Sequence, residues 1–552
     1  MELINQHTKA IMEGCKERAR DAGLNVQTET LEYIVTNKDL LELGPKNMIP
    51  TLYDYWVHDV EVLKERGKYG IYPHNPYETV INTRPAISFY NDNNPDWLNV
   101  MIFYHVLAHI DFFHNNLYYR HTWDEDFAGQ ALSDKRTMAM LRSEKGRWVD
   151  YVIEFSRGID NLVDYYGLMS EMDRPEQLNG SKRLDYYFDV FLQQIKGVTV
   201  GEYLKELDRY NETVEKYGPV GESVFFAAVS RTYPEFEAMF EKQKDRTKGA
   251  SKDILGFLEA HSPFLAKEEN RWMITVMEMV RKTSLYFQPQ LRTKIMNEGW
   301  ASYWHDKLFL LDDRMKGNEV TYASVNAKVT AMPRVGLNPY ALGMRLFSFI
   351  EEMADKGRFS FDFRRLKDVN ERERFNKRTG TGMDFIFSVR ENMNDFTFIN
   401  TFVDQAFVDR HKLFVSERRA NRERGVWEYS VKSRKAESYR QMLLDSLYHP
   451  PCIVVDEEKS KDGCLYLDHR FEGKPLVQEF IAGTMMGIEY LWGGRVKLET
   501  TEWVAEPEPA YDPLNLFSYM LRKSTAQVKR KKYLERAVYT MEKRQLTRSI
   551  VT

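Results

Sequence analysis

Two histidines four positions apart carry the clearest metal-binding chemistry in the sequence. His105 and His109 lie in the segment MIFYHVLAHIDFF, whose apolar character predicts a helix. Residues four apart share one helical face, so both imidazoles can reach one metal ion. The surrounding residues are apolar and aromatic, and burying a polar ring without a partner is costly. The alternative is two core histidines that bond to carboxylates or to the backbone.

A second segment, NEGWASYWH, offers a further ligand. Glu298, Ser302 and His305 stand at positions i, i+4 and i+7 and share one helical face. The Glu298 carboxylate would complete a His/His/Glu site. Gly299 within this helix costs about 1 kcal/mol relative to alanine, so we expect another backbone or a ligand to approach closely there. A structural contact between Glu298 and a buried histidine is the simpler alternative.

Together these residues predict a catalytic divalent metal ion, with zinc as the first choice. Three protein ligands and an open fourth position are typical of catalytic zinc, which lowers the pKa of bound water toward about 7. We assign His105, His109 and Glu298 as ligands, and His305 as a proton shuttle or fourth ligand. Asn116 is assigned as an orienting group, because on a continuing helix it is about 20° from the direction of His109.

The general base of this site is not evident from the sequence. The zincin pattern HExxH places a glutamate directly after the first histidine, where this chain has Val106. The base would then be His305, a second carboxylate or no residue. Asp111 and His114 are about 200° and 140° from His109, so they are expected to face elsewhere. Histidine and carboxylate ligands also suit non-haem iron, which keeps an oxidoreductase as an alternative.

Motifs for other catalytic chemistries are missing from the sequence. There is no GxxxxGK[ST] loop, no GxGxxG after a predicted strand and no GxSxG elbow. P-loop NTPases, dinucleotide-binding folds and α/β-hydrolases therefore have no support. The three cysteines, Cys15, Cys452 and Cys464, form no CxxC pair and are too few for a disulfide scaffold.

The candidate residues fall on predicted helices. Asn94-Pro95-Asp96 starts a helix over about 96–119, and Pro289 is predicted to split a long pattern into helices 267–287 and 289–312. Later elements are a helix over 338–356 and short strand-like runs at 451–456, 464–469 and 495–504, and residues 76–95 look extended. Lys461-Asp462-Gly463 is a hairpin signal between the first two runs.

Composition describes a globular chain of 552 residues with a high aromatic content. Hydrophobic residues make up 43%, charged residues 29% and aromatic residues 13%, which excludes a largely disordered chain and favours a large core. The formal net charge of −4 gives no general case for nucleic-acid binding. No stretch approaches the ~20 apolar residues of a membrane span, and no signal-peptide pattern is present, so we expect a cytoplasmic location.

We predict a mainly helical N-terminal domain, compatible with a zincin-like arrangement of helices, and a smaller α+β C-terminal domain. The charged stretch that ends at Gly380-Thr381-Gly382 marks the boundary, which places the domains at 1–380 and 381–510. Residues 511–552 are predicted to form a basic helical tail, because lysine and arginine cluster between Lys529 and Arg548.

Several separated segments resemble the SpoVR family (stage V sporulation protein R-like). They are YETVINTRPAISFY (77–90), HVLAHIDFFHNN (105–116), YFQPQLRTKIMNEGWASYWH (286–305), GLNPYALGMRLF (336–347), FSVRENMNDFTFINTFV (387–403) and LYLDHRFEGKPL (465–476). The resemblance extends from about residue 10 to residue 505. The EGWA element also resembles the glutamate-ligand segment of glutamate zincin peptidases, where Glu298 would be the third ligand after His105 and His109.

The resemblance implies a role in sporulation or in a stress response, beside a PrkA-type serine kinase and a von Willebrand A-like protein. The chain is identified as a divergent member. The family usually has acidic residues where Lys282 and Thr283 stand, and commonly a histidine where Asn326 stands. If these positions serve the metal site, metal binding in this chain differs from that of the family.

Two functions follow from these expectations. The first is a metal-dependent hydrolase of amide or peptide bonds. The second is a non-catalytic adaptor or regulator in a PrkA-type kinase-linked stress pathway, in which the histidines are structural. Neither function requires nucleic acid or a membrane span, and a homo-oligomer is compatible with both.

Overall fold

The computed structural model of the chain is mainly helical. It describes residues 2–26, 29–37, 39, 78–83, 85–122, 127–172, 182–198, 200–240, 253–421, 425–505 and 532–551. Helices dominate the first four hundred residues, and the longest sheet lies near the C-terminus. The predicted class, a mainly α N-terminal part with a smaller α+β C-terminal part, is confirmed. None of the helices in these ranges is long and apolar enough to span a membrane.

The helices are listed here in chain order. They are α1 (Gln6–Asp21), α2 (Asp96–Asn115), α3 (Phe127–Lys145), α4 (Trp148–Arg157), α5 (Tyr165–Met172), α6 (Lys182–Asp185), α7 (Val200–Tyr217), α8 (Gly221–Thr232), α9 (Ile254–His261), α10 (Arg271–Arg292), α11 (Lys294–Leu311), α12 (Glu319–Val329), α13 (Pro339–Asp355), α14 (Phe361–Arg365), α15 (Val369–Arg374), α16 (Gly382–Asn392), α17 (Asp395–Phe402), α18 (Gln405–Arg410), α19 (Ala436–Ser446) and α20 (Gln478–Trp492).

The strands form three sheets. They are β1 (Glu2–Leu3), β2 (Thr30–Val35), β3 (Glu78–Ile81), β4 (Ala86–Asn91), β5 (Val415–Asn421), β6 (Val426–Ser433), β7 (Cys452–Val455), β8 (Leu465–Arg470), β9 (Val496–Ala505), β10 (Lys532–Glu542) and β11 (Gln545–Ile550). The sheet orders are β1-β2-β4-β3, β5-β6 and β11-β10-β9-β8-β7. Among the strands of the described residues, the pairs β2/β4 and β8/β9 are parallel and the others are antiparallel.

Most strand predictions agree with the observed elements. Residues predicted to be extended contain β3 and β4, and the runs at 451–456, 464–469 and 495–504 correspond to β7, β8 and β9. The hairpin signal is confirmed, since β7 and β8 pair antiparallel across it. In the N-terminal region the structure has α1 followed by β2, and residues 40–77 lie outside the described ranges.

Helix α2 forms the centre of the first hydrophobic core. Every residue from Leu98 to Phe113 is buried. A helix that is apolar on all sides must be surrounded by other elements, and α2 packs against α1 and α11, while α11 packs in turn against α13. The aromatic residues of the histidine segment therefore fill the space between these helices.

Helices α11 and α13 cross at a pair of glycines. A Cβ atom on Gly299 would lie 2.4 Å from Cα of Gly343, and one on Gly343 would lie 2.2 Å from the carbonyl oxygen of Ile295. Both distances are well below van der Waals contact, so alanine cannot be accommodated without moving a helix. The expected close approach at Gly299 is confirmed, and the approaching group is a backbone.

The helix break predicted at Pro289 is wrong. Helix α10 continues through Pro289 to Arg292, and the chain breaks at Thr293, where φ is −129° and ψ is 18°. Pro289 lies in the last turn, where its missing N–H removes a single hydrogen bond. The Thr293 hydroxyl donates a hydrogen bond of 2.7 Å to the carbonyl of Pro289 and reinforces this helix end.

The prediction of a basic helical tail is wrong for residues 532–550, which form β10 and β11. Ala537, Tyr539 and Met541 are buried and alternate with more exposed residues, the period expected of a strand with one covered face. The basic side chains serve ion pairs: Arg536 pairs with Glu499 at 2.5 Å, and Arg548 pairs with Glu502. Lys529, Arg530 and Lys531 lie outside the described ranges.

A second hydrophobic core joins distant parts of the chain. It combines residues of α4, α9 and α10 with α20 and the five-stranded sheet. The first core runs from Met12 to Leu443 and includes residues on both sides of residue 380, such as Ile350 and Phe398. Hydrophobic packing therefore does not separate the chain at residue 380, and the domain limits stay a prediction.

Candidate metal centre

Three of the predicted ligands converge in the first core. The Nε2 atoms of His105 and His109, on α2, lie 3.9 and 3.6 Å from the same Oε2 atom of Glu298, on α11. One ligand atom from each residue can be chosen so that all three lie within 4.8 Å of one another. The packing of α2 against α11 thus brings together residues that are almost two hundred positions apart in the sequence.

The spacing of these atoms fits a small divalent cation. Tetrahedral coordination with metal–ligand bonds of about 2.1 Å places neighbouring ligand atoms about 3.4 Å apart. The observed separations of 3.6 and 3.9 Å are slightly larger, and both exceed hydrogen-bonding distance. A small inward movement of the Glu298 side chain would give the coordination distances.

The outer ring nitrogens of both histidines are held by other side chains. His105 Nδ1 is 2.9 Å from His305 Nδ1, and His109 Nδ1 is 2.8 Å from Asn297 Oδ1. Hydrogen bonds of this kind fix the ring orientation and tautomer of metal-binding histidines. They leave both Nε2 atoms directed toward Glu298.

A chain of hydrogen bonds determines which nitrogen of His105 carries the proton. Asn326 Nδ2 donates to Asp306 Oδ1 at 2.7 Å, and a carboxylate only accepts, so Asn326 Oδ1 faces His305. His305 Nε2 therefore donates to Asn326 Oδ1 at 3.0 Å. A neutral His305 then accepts at Nδ1 from His105 Nδ1–H, which leaves a lone pair on His105 Nε2.

The same argument applies to His109. With Asn297 Oδ1 as the acceptor, His109 Nδ1 donates, and Nε2 carries a lone pair. Two nitrogen lone pairs and a carboxylate oxygen then point to one place with no proton between them. Groups of this kind repel one another unless a cation lies between them.

Burial keeps His105 and His305 neutral. It lowers the pKa of His105 well below its usual value, with smaller contributions from the neighbouring His109 and His305, while a hydrogen bond to the backbone of Ala301 acts in the opposite direction. Burial also lowers the pKa of His305, against the hydrogen bond to Asn326. Neutral imidazole is the form that binds metal ions. The Glu298 side chain is 19% exposed, so this side of the cluster is reached by solvent.

His305 is placed behind His105 and away from the convergence point. Both of its ring nitrogens have partners, His105 and Asn326, and the residue is fully buried. These contacts favour a positioning role over the predicted shuttle or fourth ligand. Asn326 joins the site through its contact with His305. Lys282 and Thr283 lie within α10 and are not members of the His105, His109 and Glu298 cluster.

Asn116 does not reach the metal cluster. Helix α2 ends at Asn115, and Asn116 has an extended backbone with ψ of 131°, so the helical extrapolation from His109 fails. Its side-chain amide donates to the carbonyls of Arg390 and Met393 at 2.7 and 2.9 Å. It therefore connects the end of α2 to the C-terminal end of α16.

Two further side chains hold the ligand-bearing helices in place. Asp111 faces away from the cluster, as expected, and accepts a hydrogen bond of 2.8 Å from Trp300 Nε1 on α11. Asp395 accepts from the backbone N–H groups of Ile295 and Met296, at 2.8 and 2.9 Å, and so caps the start of α11. Sequence reasoning missed Asp395 and Asn297, because nothing in their local pattern distinguishes them from other polar residues.

Comparisons with known proteins identify a family. A family model described as SpoVR like protein matches residues 2–449 of the chain. The chain is also similar to the Uncharacterized protein YcgB of Escherichia coli (strain K12), with 24% identity over 496 residues that cover 84% of this chain and 86% of that protein. No solved structure matches the chain. The matched range contains the whole metal cluster and ends before β7.

Proposed function

The chain belongs to the SpoVR family, and from this premise we propose that it is a metal-dependent hydrolase of amide or peptide bonds. In this proposal, His105, His109 and Glu298 hold a divalent ion, with zinc as the first candidate. The convergence of two imidazole lone pairs on one Glu298 oxygen carries the proposal. A role in sporulation or in a stress response is proposed from the family alone.

The residues around the cluster have separate parts in this proposal. A bound divalent ion polarises a carbonyl and lowers the pKa of a water molecule. His305 and Asn297 hold the two imidazoles, and the partly exposed Glu298 side chain keeps the cluster in contact with solvent. Val106 has an aliphatic side chain and cannot act as a base. His305 is a poor candidate for the base, since both of its nitrogens have partners.

Metal analysis of the purified full-length protein tests this proposal. We expect about one divalent ion per chain in the wild type, and its loss in His105→Ala and Glu298→Gln, because a site with three protein ligands does not tolerate removal of one. His449→Ala is the matched control, since His449 is exposed and bonds to Glu472 outside the cluster. A metal-free wild type, purified without chelators and offered zinc, iron and manganese, would contradict the proposal.

The hydrolase activity needs its own measurement. A mixed library of peptides and amides, analysed by mass spectrometry with and without a chelator, should show chelator-sensitive cleavage that Glu298→Gln abolishes. Bound metal without any cleavage would preserve the metal centre and reject the hydrolase. An iron spectrum with oxidised products would favour the oxidoreductase instead.

The alternative adaptor function is supported by one feature of the site. Each histidine already has a hydrogen-bond partner inside the protein, as expected of structural histidines. We propose, as the second candidate, a regulator in a PrkA-type kinase-linked pathway. It predicts that His105→Ala loses stability rather than activity and that a pull-down recovers the kinase. A folded His105→Ala variant that fails in cells would argue against it.

A further inference from the structure

A cavity lies away from the candidate metal cluster. It has a volume of about 780 Å³ and is enclosed by the loop 332–337, the segment 408–416 and the helix α19. None of the three metal-binding candidates lines it. The cavity is therefore distinct from the site discussed above, and what it binds is a separate question.

The floor of this cavity is apolar. Leu413 and Leu443 are 7% and 1% exposed, and both belong to the first hydrophobic core. Val408 and Tyr439 are also buried there. A concave apolar floor of this size can bury the hydrocarbon or aromatic part of a small molecule.

The rim of the cavity carries uncompensated positive charge. Arg334, Lys412 and Arg434 line it and are exposed, and their side chains have no ion pair or hydrogen bond among the described residues. The only carboxylate in the described lining is Asp409, which accepts a hydrogen bond of 2.8 Å from Gln405. Three cations against one anion favour a negatively charged ligand.

His411, which also lines the cavity, has a ring nitrogen without a protein partner among the described residues. Nε2 of His411 is buried and has no hydrogen-bond partner within the described part of the chain. Burial lowers the pKa of His411 to about 4, with smaller effects of Arg345 and Arg410, so the ring is neutral at pH 7. Buried polar atoms normally have a partner, and one that lacks it is satisfied by water or by a ligand.

We propose that this cavity binds a small anionic molecule with an apolar body, such as a carboxylate or phosphate ester with a hydrocarbon or aromatic group. The apolar body rests on Leu413 and Leu443, and the anionic group lies at Arg334, Lys412 and Arg434. The proposal does not depend on the metal centre or on hydrolysis.

Fluorescence titration with 8-anilinonaphthalene-1-sulfonate, an aromatic anion, tests this site in the full-length protein. The triple variant R334Q/K412Q/R434Q should bind the probe about tenfold or more weakly, because it removes the three cations that attract the sulfonate group. Met442→Trp, on the cavity wall, should block binding by filling the space. Lys367→Gln is the matched control, since Lys367 is exposed and lies outside the cavity.

Competition distinguishes the sources of the anion. Decanoate and decyl phosphate should each displace the probe, the better competitor identifying the preferred head group, and inorganic phosphate alone should not. Equal binding of the probe to the wild type and to the triple variant would overturn the proposal. The proposal would also be overturned if the neutral dye N-phenyl-1-naphthylamine displaced the probe and the three substitutions left this displacement unchanged. Unfolding curves and metal content of each variant, measured in parallel, separate loss of this site from loss of the fold or of the metal centre.

Discussion

At the scale of single residues, the ability of His105, His109 and Glu298 to bind a metal ion would depend on where the protons lie as much as on the residue types. The hydrogen bonds from Asp306 through Asn326 and His305 to His105 place a lone pair on the nitrogen that faces Glu298. A protonated Nε2 would make the same geometry useless for metal binding. The residues behind the histidines are therefore as relevant to function as the histidines.

Asn297 provides a test of this dependence. Asn297→Ala removes the acceptor of His109 Nδ1–H, so His109 loses its fixed tautomer and orientation. Loss of such a partner typically lowers metal affinity 10–100-fold. We expect a decrease of about this size in a competition titration with a zinc chelator. Asn93→Ala is the control, because Asn93 is exposed and bonds to its neighbour Asp92. Equal affinities of wild type and Asn297→Ala would show that the contact is incidental.

At the scale of elements, the position of α11 decides whether Glu298 meets the histidines. Three features hold this helix: the glycine crossing with α13, the bond from Trp300 to Asp111 on α2, and the cap supplied by Asp395. Asp395 lies a hundred residues beyond the helix start that it caps. Each feature acts on Glu298 without touching it.

The glycine crossing predicts a strong effect of a single methyl group. Gly299→Ala should lower the free energy of unfolding by about 1–3 kcal/mol or more, because the new Cβ overlaps the backbone of Gly343. The matched control is Gly483→Ala on α20, where a Cβ meets no atom within 4 Å. That change should be neutral or should stabilise by up to about 1 kcal/mol. Chemical denaturation measures both variants, and similar stabilities would refute the close crossing.

The cap of α11 predicts a pH dependence of stability. Burial raises the pKa of Asp395 from 3.8 to about 7, against the hydrogen bonds from Ile295 and Met296. The folded state therefore binds a proton that the unfolded state releases between about pH 4 and 7. The contribution of Asp395 to the free energy of unfolding is fully present below pH 4 and is lost as the pH rises through 7. The loss is on the order of 4 kcal/mol.

The difference in unfolding free energy between wild type and Asp395→Asn isolates the contribution of Asp395, because the other titrating groups contribute equally to both proteins. As the pH rises from 4.5 to 7.5, the unfolding free energy of the variant should improve relative to wild type. Asp404→Asn, which changes the exposed cap of α18, controls for the loss of a capping carboxylate. Parallel pH profiles of wild type and Asp395→Asn would contradict the assignment.

At the scale of the whole molecule, the C-terminal strands complete a core that begins far upstream. β10 pairs with β9 over ten residues, and its inward side chains join the second core. Glu502 on β9 is buried and accepts from Tyr539 on β10 at 2.7 Å and from Arg548 on β11. The family match ends at residue 449, so this sheet lies beyond it.

Removal of residues 532–552 should therefore destabilise the second core selectively. Strand β9 loses its hydrogen-bonded partner, and the second core loses the buried side chains of Ala537, Tyr539 and Met541. Hydrogen–deuterium exchange should increase in residues 496–505 and stay unchanged in α2. Unchanged exchange in β9 would show that the sheet does not need these strands.

The sequence by itself indicated the helical class, the family and the three residues that the structure brings together as candidate metal ligands. This was achievable because helical spacing is a local property: His105 and His109 share a face wherever their helix lies, and Glu298 stands in a distinctive segment. The same local reasoning failed where a helix ended. Asn116 was placed near His109 by extending α2 beyond Asn115, and Pro289 was read as a break although α10 tolerates it in the last turn.

Only the tertiary structure decided which distant residues complete the site. The partners of the histidines, Asn297 and His305, and the cap Asp395 come from segments whose proximity depends on how α2, α11 and α17 pack. The basic C-terminus likewise became two strands, because its charged residues find carboxylates on β9 and its apolar residues find the second core. Contacts between distant segments depend on the packing of whole elements, so the pattern of a short segment cannot reveal them.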